Sequence, residues 1–271
     1  MIENLEGKTF IGFTIPLDKK RIKAGEKFDD YEIIDQLGSG SFGEVFKVRS
    51  KVDNKIYALK KANLKELKEK GQKAYDLTIH ETIFLSHISH PHIIKYYKHF
   101  VEGDFLYIII EYAENGDIAG FIKAHQIFKK YIPEEELWSI FLQCMKGLVH
   151  VHKMGVIHRD IKPANLLIDN NMTIKLGDFG VSAVKIKESD ESAKYLNADY
   201  NFFKNAEFLK YNKTFVGTIQ YMADEILKNS EYDQKVDVYS MGASFFEMCY
   251  LHPFKHLELI MDKYGNVKKE F

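Results

Sequence analysis

His158-Arg159-Asp160-Ile161-Lys162-Pro163-Ala164-Asn165, followed thirteen residues later by Asp178-Phe179-Gly180, is the stretch on which the reading of this chain turns. It brings two carboxylates, a lysine and an amide into one short span. Phosphoryl transfer from a metal-bound nucleotide needs those groups: Asp160 to accept the proton of an attacking hydroxyl, Lys162 to steady the transferring phosphoryl group, Asn165 and Asp178 to hold divalent ions against the phosphate charge. Either triplet alone is a weak signal. Their order, their spacing and the strand-like segments Leu166 to Asp169 and Thr173 to Leu176, joined by an Asn170-Asn171 turn, make it a strong one.

Working upstream, Leu37-Gly38-Ser39-Gly40-Ser41-Phe42-Gly43-Glu44-Val45 is a G-x-G-x-x-G loop. It lies between two strand patterns, Tyr31 to Leu37 and Glu44 to Arg49, which disfavours a dinucleotide fold, where the loop opens a helix. Glycines there let backbone N–H groups approach phosphate oxygens. A third strand, Ile56 to Lys60, ends in Lys60. After Gly71 the pattern becomes helical, and Glu81 sits on its apolar stripe, four residues after Leu77 and four before Leu85. A carboxylate pointing inward is costly without a partner, and Lys60 is the natural one. Two further strands end in Leu106 to Ile110. From Pro133 the chain is mainly helical: Leu137, Ile140, Phe141, Cys144, Leu148 and Val151 form one apolar stripe that Gly155 stops. The order is strands, a helix, strands, then helices, a two-lobed α+β arrangement.

From about Tyr31 to Leu251 these motifs resemble, in order, the eukaryotic protein kinase family. The resemblance implies a bilobal fold: an extension over residues 1–30, a small β-rich lobe with one regulatory helix over 31–112, and a mainly helical lobe over 113–271 carrying a long activation segment, 178–225. It implies ATP and Mg2+ as cofactors and protein hydroxyls as substrates. Asp160, Lys162, Asn165 and Lys60 would be catalytic, with Glu81 positioning Lys60. The glycine loop would cover the nucleotide from Leu37, Gly38, Ser39, Gly40, Ser41, Phe42, Gly43 and Val45. Ile110 would guard the adenine pocket, Glu111 and Ala113 would hydrogen-bond adenine, and Asp117 the ribose. Leu85, Phe179 and His158 resemble stacked spine residues, Asp237 the residue that anchors the catalytic loop, and Thr218 the threonine that contacts the catalytic aspartate and lysine. Lys162 is the serine/threonine form of the loop. Lys213-Thr214-Phe215-Val216-Gly217-Thr218 and Phe246-Glu247-Met248-Cys249 are similar to the NIMA-related kinases. That likeness makes Thr214 an activating phosphosite, with Arg159 drawn to its phosphate, and offers cytoskeletal association by analogy alone.

Composition agrees with such a protein. Across 271 residues the formal net charge is −1, which argues against general nucleic-acid binding or an anionic-membrane partner. No uninterrupted apolar run approaches the roughly 20 residues of a membrane span, and Met1 to Glu6 lacks the pattern of a secretory signal. Val236 to Leu251 reads as a buried helix. Two cysteines, Cys144 and Cys249, are too few for a disulfide framework and read as buried thiols. A cytoplasmic protein is the expectation, nuclear or cytoskeletal/ciliary placement staying open. His87, His90 and His92 cluster, but Ser89 to Ile93 looks like the turn after the kinase regulatory helix.

Three departures temper the resemblance. Lys185 to Asn212 inserts a long polar stretch into the activation segment. Ala223-Asp224-Glu225 stands where the family has Ala-Pro-Glu, and no arginine follows Arg159 to receive Glu225. The closing helices of the large lobe are missing before Phe271, with Lys255 to Lys263 left to supply one short helix; an uncovered apolar face then marks an interface. A second function stays open on these grounds: a kinase-like ATP-binding scaffold with little activity, its large lobe covered by a protein partner.

Overall fold

Five strands near the start of the chain form one antiparallel sheet in the order β1-β2-β3-β5-β4. They are β1 (Tyr31–Gly40), β2 (Gly43–Ser50), β3 (Ile56–Asn63), β4 (Tyr96–Glu102) and β5 (Phe105–Ile110). The computed structural model describes residues 26–40, 43–184, 217–228 and 230–254. Ser41, Phe42, Thr214, the 185–212 insertion and Lys255 to Lys263 therefore lie outside the described residues. Chain contacts divide the protein into two units, Met1–Thr82 with Tyr96–Tyr112, and Ile83–Lys95 with Ala113–Phe271.

In the first unit, alternation across the sheet sorts its side chains onto two faces. Leu59 and Ile109 are paired on β3 and β5. With Tyr31, Val48, Phe100 and Tyr107 they build a core on one face. The register sets Val45 opposite Lys60 and Lys60 opposite Ile108, so these three share the other face. The glycine loop is a hairpin in which Gly40 pairs with Gly43. Gly43 has φ +134°, and a Cβ there would stand 2.1 Å from the Lys61 carbonyl oxygen, so only glycine fits. A helix the sequence pattern does not announce, α1 (Leu64–Lys70), follows β3 directly, because the Asn63 side chain caps it by accepting from the N–H groups of Lys65 and Glu66. Next comes α2 (Gln72–His87), within which the two units divide.

The described part of the second unit is mainly helical, with two small antiparallel strand pairings. Asp117 caps α3 (Ile118–Phe128), its carboxylate accepting from Gly120 N–H at 2.8 Å. The long α4 (Glu134–Lys153) begins after Pro133, which serves as its N-cap rather than its first helical residue; three glutamates in the first turn meet the positive end of the dipole. Gly155, at φ +73°, turns the chain out of it. Thereafter β6 (Val156–Ile157), β7 (Leu166–Ile168), β8 (Ile174–Leu176) and β9 (Ala183–Val184) pair as β6-β9 and β7-β8. One-turn α5 (Asp224–Leu227) and the long α6 (Lys235–Tyr250) close the described chain. Ile157, immediately before His158, packs with Met222, Ala223, Ile226, Tyr232 and Val236 in one buried cluster.

Two expectations need correction. The Val236 to Leu251 helix is buried along one side only, with Val236, Asp237, Ser240, Met241, Ala243, Ser244 and Met248 inside. Its opposite side, Val238, Gly242, Phe245 and Cys249, is exposed or half-buried, since a helix lying on a core covers one arc of its circumference. For the same reason Cys144 is a buried thiol and Cys249 is only half-buried. Among the described residues no helix is long and apolar enough to cross a membrane.

Candidate active site

Four hydrogen bonds converge on the Asp160 carboxylate. Its Oδ1 accepts from the Thr218 N–H at 2.7 Å and from the Thr218 hydroxyl at 2.8 Å. Its Oδ2 accepts from Lys162 Nζ at 2.7 Å and Asn165 Nδ2 at 3.0 Å. Four donors thus converge on a carboxylate, which can only accept while ionised. Burial pushes the Asp160 carboxyl up, but the Lys162 hydrogen bond and charge, with Thr218 behind them, outweigh it and hold the group below the ordinary carboxylate range. Lys162 Nζ also donates to the Thr218 hydroxyl at 2.8 Å, so one threonine bridges base and lysine.

The backbone of this loop is held from below by Asp237. That side chain is completely buried and accepts from the N–H groups of His158 and Arg159, each at 2.8 Å, and from His152 Nε2 at 2.8 Å. His158 is fixed in turn. Its Nε2 donates to the Gly177 carbonyl at 3.0 Å while its Nδ1 faces the N–H of Asp160 at 3.3 Å. A carbonyl can only accept and an amide N–H only donate, so the ring carries its proton on Nε2. Arg159 is buried with φ +68°, and Asp178 has φ +55°; both are non-glycine residues in the left-handed region, strain of the kind that collects at functional sites. Gly217 makes the first possible: a Cβ at 217 would lie 2.3 Å from the Arg159 carbonyl oxygen.

Asn165 and Asp178 both belong to the second unit and suit a hard divalent cation, which prefers oxygen ligands. The Asn165 amide nitrogen is engaged by the backbone carbonyl and carboxylate of Asp160, so its Nδ2 faces the loop. Asp178 is exposed although Gly177, Phe179 and Gly180 around it are buried. The Phe179 ring is clamped between His158, 4.6 Å away between centroids, and Phe84, 4.5 Å away; the ring that meets it from the neighbouring helix is thus Phe84, with Leu85 buried beside it in sequence.

In the first unit Lys60 Nζ and the Glu81 carboxylate form a buried ion pair. Sheet register aims Lys60 at the helix, and helical spacing brings Glu81 to it. Val45 lies on the same face. Leu37 is exposed, and a Cβ at Gly38 would meet open space. Glu111 and Ala113 follow β5 as irregular chain, while Asp117 is occupied as the cap of α3.

Arg159 is more committed than the sequence suggests. Its guanidinium donates to the carbonyls of Val181 and Ser182 and, at 3.3 Å, to the Tyr232 hydroxyl. His152 and Tyr232 escape a sequence reading. A histidine in the last turn of an apolar helix and a tyrosine in a polar stretch carry no pattern; only the fold brings them to Asp237 and Arg159.

Comparison with known proteins identifies the family. The sequence profile of the family described as protein kinase domain matches residues 31–269. A probable serine/threonine-protein kinase nek2 of Dictyostelium discoideum is 36% identical over 230 residues, 83% of this chain and 49% of that protein. Human serine/threonine-protein kinase Nek2 is 33% identical over 232 residues, covering 83% of this chain and 47% of its own. Mouse serine/threonine-protein kinase Nek3 is 33% identical over 228 residues, 84% and 39% respectively. This chain spans about half or less of the length of these relatives. It belongs to the protein kinase family, and the NIMA-related likeness read from its motifs points to the same relatives.

Proposed function

We propose that this member of the protein kinase family transfers the γ-phosphoryl group of Mg-ATP to serine or threonine hydroxyls of proteins. The observation that carries the reading is the single hydrogen-bonded cluster of Asp160, Lys162, Asn165 and Thr218, with Asp178 exposed next to a buried Phe179. ATP supplies the phosphoryl group and Mg2+ the countercharge; Asn165 and Asp178 would hold the ion, and Lys60, kept in place by Glu81, would bind phosphate oxygens. The glycine loop would lie over the nucleotide and Glu111 and Ala113 would meet its base. Asp160 orients the hydroxyl and takes its proton. Its lowered pKa keeps it ionised at neutral pH, which suits a loose transition state in which the charge on phosphate oxygens, not the strength of the base, sets the barrier. Lys162 would offer its ammonium to the oxygens that gain that charge.

Phosphorylation of Thr214 is the proposed control. A phosphate offers Arg159 a charge-assisted partner stronger than the neutral carbonyls of Val181 and Ser182 that it now serves.

The test is transfer of labelled phosphate from the γ position of ATP, with magnesium, to the protein itself and to a generic basic protein substrate. Label on serine and threonine, with Thr214 among the modified residues, is the expected result. Absence of transfer, with nucleotide binding intact, would favour the scaffold reading instead.

A further inference from the structure

A cavity of about 400 Å3 opens on the second unit between α3, the first turns of α4 and the hairpin of β7 and β8. Its volume lies within the range of ligand pockets, and no member of the Asp160 cluster lines it. The inner wall is apolar, formed by the buried side chains of Ile140, Ile168 and Ile174. Gln143 closes the base by tying helix to hairpin, its Oε1 accepting from the Ile174 N–H at 2.9 Å. The outer lining includes Glu135, Glu136 and Met172. Neither glutamate makes an ion pair among the described residues, and no cationic side chain lines the cavity. The helix dipole accounts for acid in this turn, but not for an apolar hollow beside it.

Met172 adds a separate observation. It stands at φ +60°, a left-handed conformation that glycine or asparagine adopts more easily, although Asn170 and Asn171 lie just before it in the same turn. A thioether held in a strained position, 45% exposed and lining a cavity, forms an adaptable lip for an apolar ligand. Asn115 Nδ2 steadies its sulfur at 3.8 Å. We propose that this cavity binds an extended segment of a partner protein in which arginine or lysine precedes a large aliphatic side chain by two residues. Spacing sets that pattern. Glu136 and Ile140 stand about one helical turn apart, roughly 6 Å along α4, and an extended chain advances about 6.6 Å over two residues. The cation pairs with the unpaired glutamates. The aliphatic side chain covers Ile140, Ile168 and Ile174, and Met172 folds over it. The proposal does not depend on the catalytic reading above.

The probe is the fluorescein-labelled peptide Gly-Arg-Arg-Gln-Leu-Gln-Leu-Gly, titrated with the full chain and read by fluorescence anisotropy. Counterparts carry glutamine in place of both arginines or of both leucines. Saturable binding of the first peptide, weakened about tenfold by either change, is the expected result. Glu135→Gln/Glu136→Gln should weaken the arginine peptide about tenfold and leave the arginine-free one unchanged, since only the former has a charge to pair. Added salt should weaken the wild-type complex more than the variant's. Met172→Gly, which relieves the backbone, should also weaken binding while the melting temperature holds or rises. Failure of the peptide to bind overturns the proposal, as does an affinity that ignores the glutamates. Unchanged affinity in Met172→Gly places the peptide elsewhere and overturns it too. Binding that follows the arginines but not the leucines would mark a diffuse acidic surface, again against the proposal. Dimers of the full chain that the glutamine variant abolishes would give the cavity to a second copy and overturn it likewise.

Discussion

Asp237 and Val238 are neighbours in sequence and opposites in environment. The aspartate is wholly buried with three donors on it, while the valine beside it is half exposed on the outer side. The same helix thus puts a charge inside and an apolar side chain outside, the reverse of what polarity alone would dictate. The inward charge is explained by the loop above it: two backbone N–H groups of a strained turn need an acceptor, and Asp237 supplies both of its oxygens. The outward valine has no such account within the described residues. One departure from the polarity rule holds the loop above it, and the other leaves an apolar side chain at the surface; telling them apart requires asking which polar groups are satisfied, not which residues are hydrophobic.

The comparison breaks most sharply at the catalytic end. Asp160→Asn removes the proton acceptor and presents an amide to Lys162 and Thr218, so turnover in the phosphate-transfer assay should fall by roughly two to four orders of magnitude. Undiminished transfer would strip Asp160 of its role. Next in size is Asp237→Ala, which strands the N–H groups of His158 and Arg159 and the His152 ring. Each buried donor left unmade costs about 1–3 kcal/mol, so the variant should lose roughly 4 kcal/mol in urea unfolding or fail to fold. Val238→Ala, one residue along, should change stability by less than about 1 kcal/mol, as for a side chain open to water. A ratio near one between the two would mean that the inner and outer sides of α6 are not as different as their burial implies.

How much of this was legible beforehand differs between the same two regions. Asp160, Lys162, Asn165 and Asp178 could be placed because their chemistry demands a fixed order and spacing. The Lys60–Glu81 pair could be placed because a glutamate on an apolar helical stripe needs a cation. The hairpin position of the glycine loop followed from strand patterns on either side. By contrast, α1 rests on a local cap at Asn63 that overrides a polar sequence, and α3 on one at Asp117. His152 and Tyr232 depend on contacts 85 and 73 residues away along the chain, which no window of sequence contains. Which side of α6 lies outward is hidden from the sequence for a different reason. A run of apolar residues shows that a helix is hydrophobic all round but not which arc the core covers.

Acid sharpens the contrast more gently. The Asp160 carboxyl titrates below its usual range when folded, so its contribution to stability is complete above the unfolded pKa and is lost as pH falls through the folded one. Wild type should therefore lose stability below about pH 4 faster than Asp160→Asn, by up to about 1.4 kcal/mol per pH unit across that window. Urea unfolding of both proteins at a few pH values checks it. Parallel losses would show that the four donors around Asp160 do not favour its charged form.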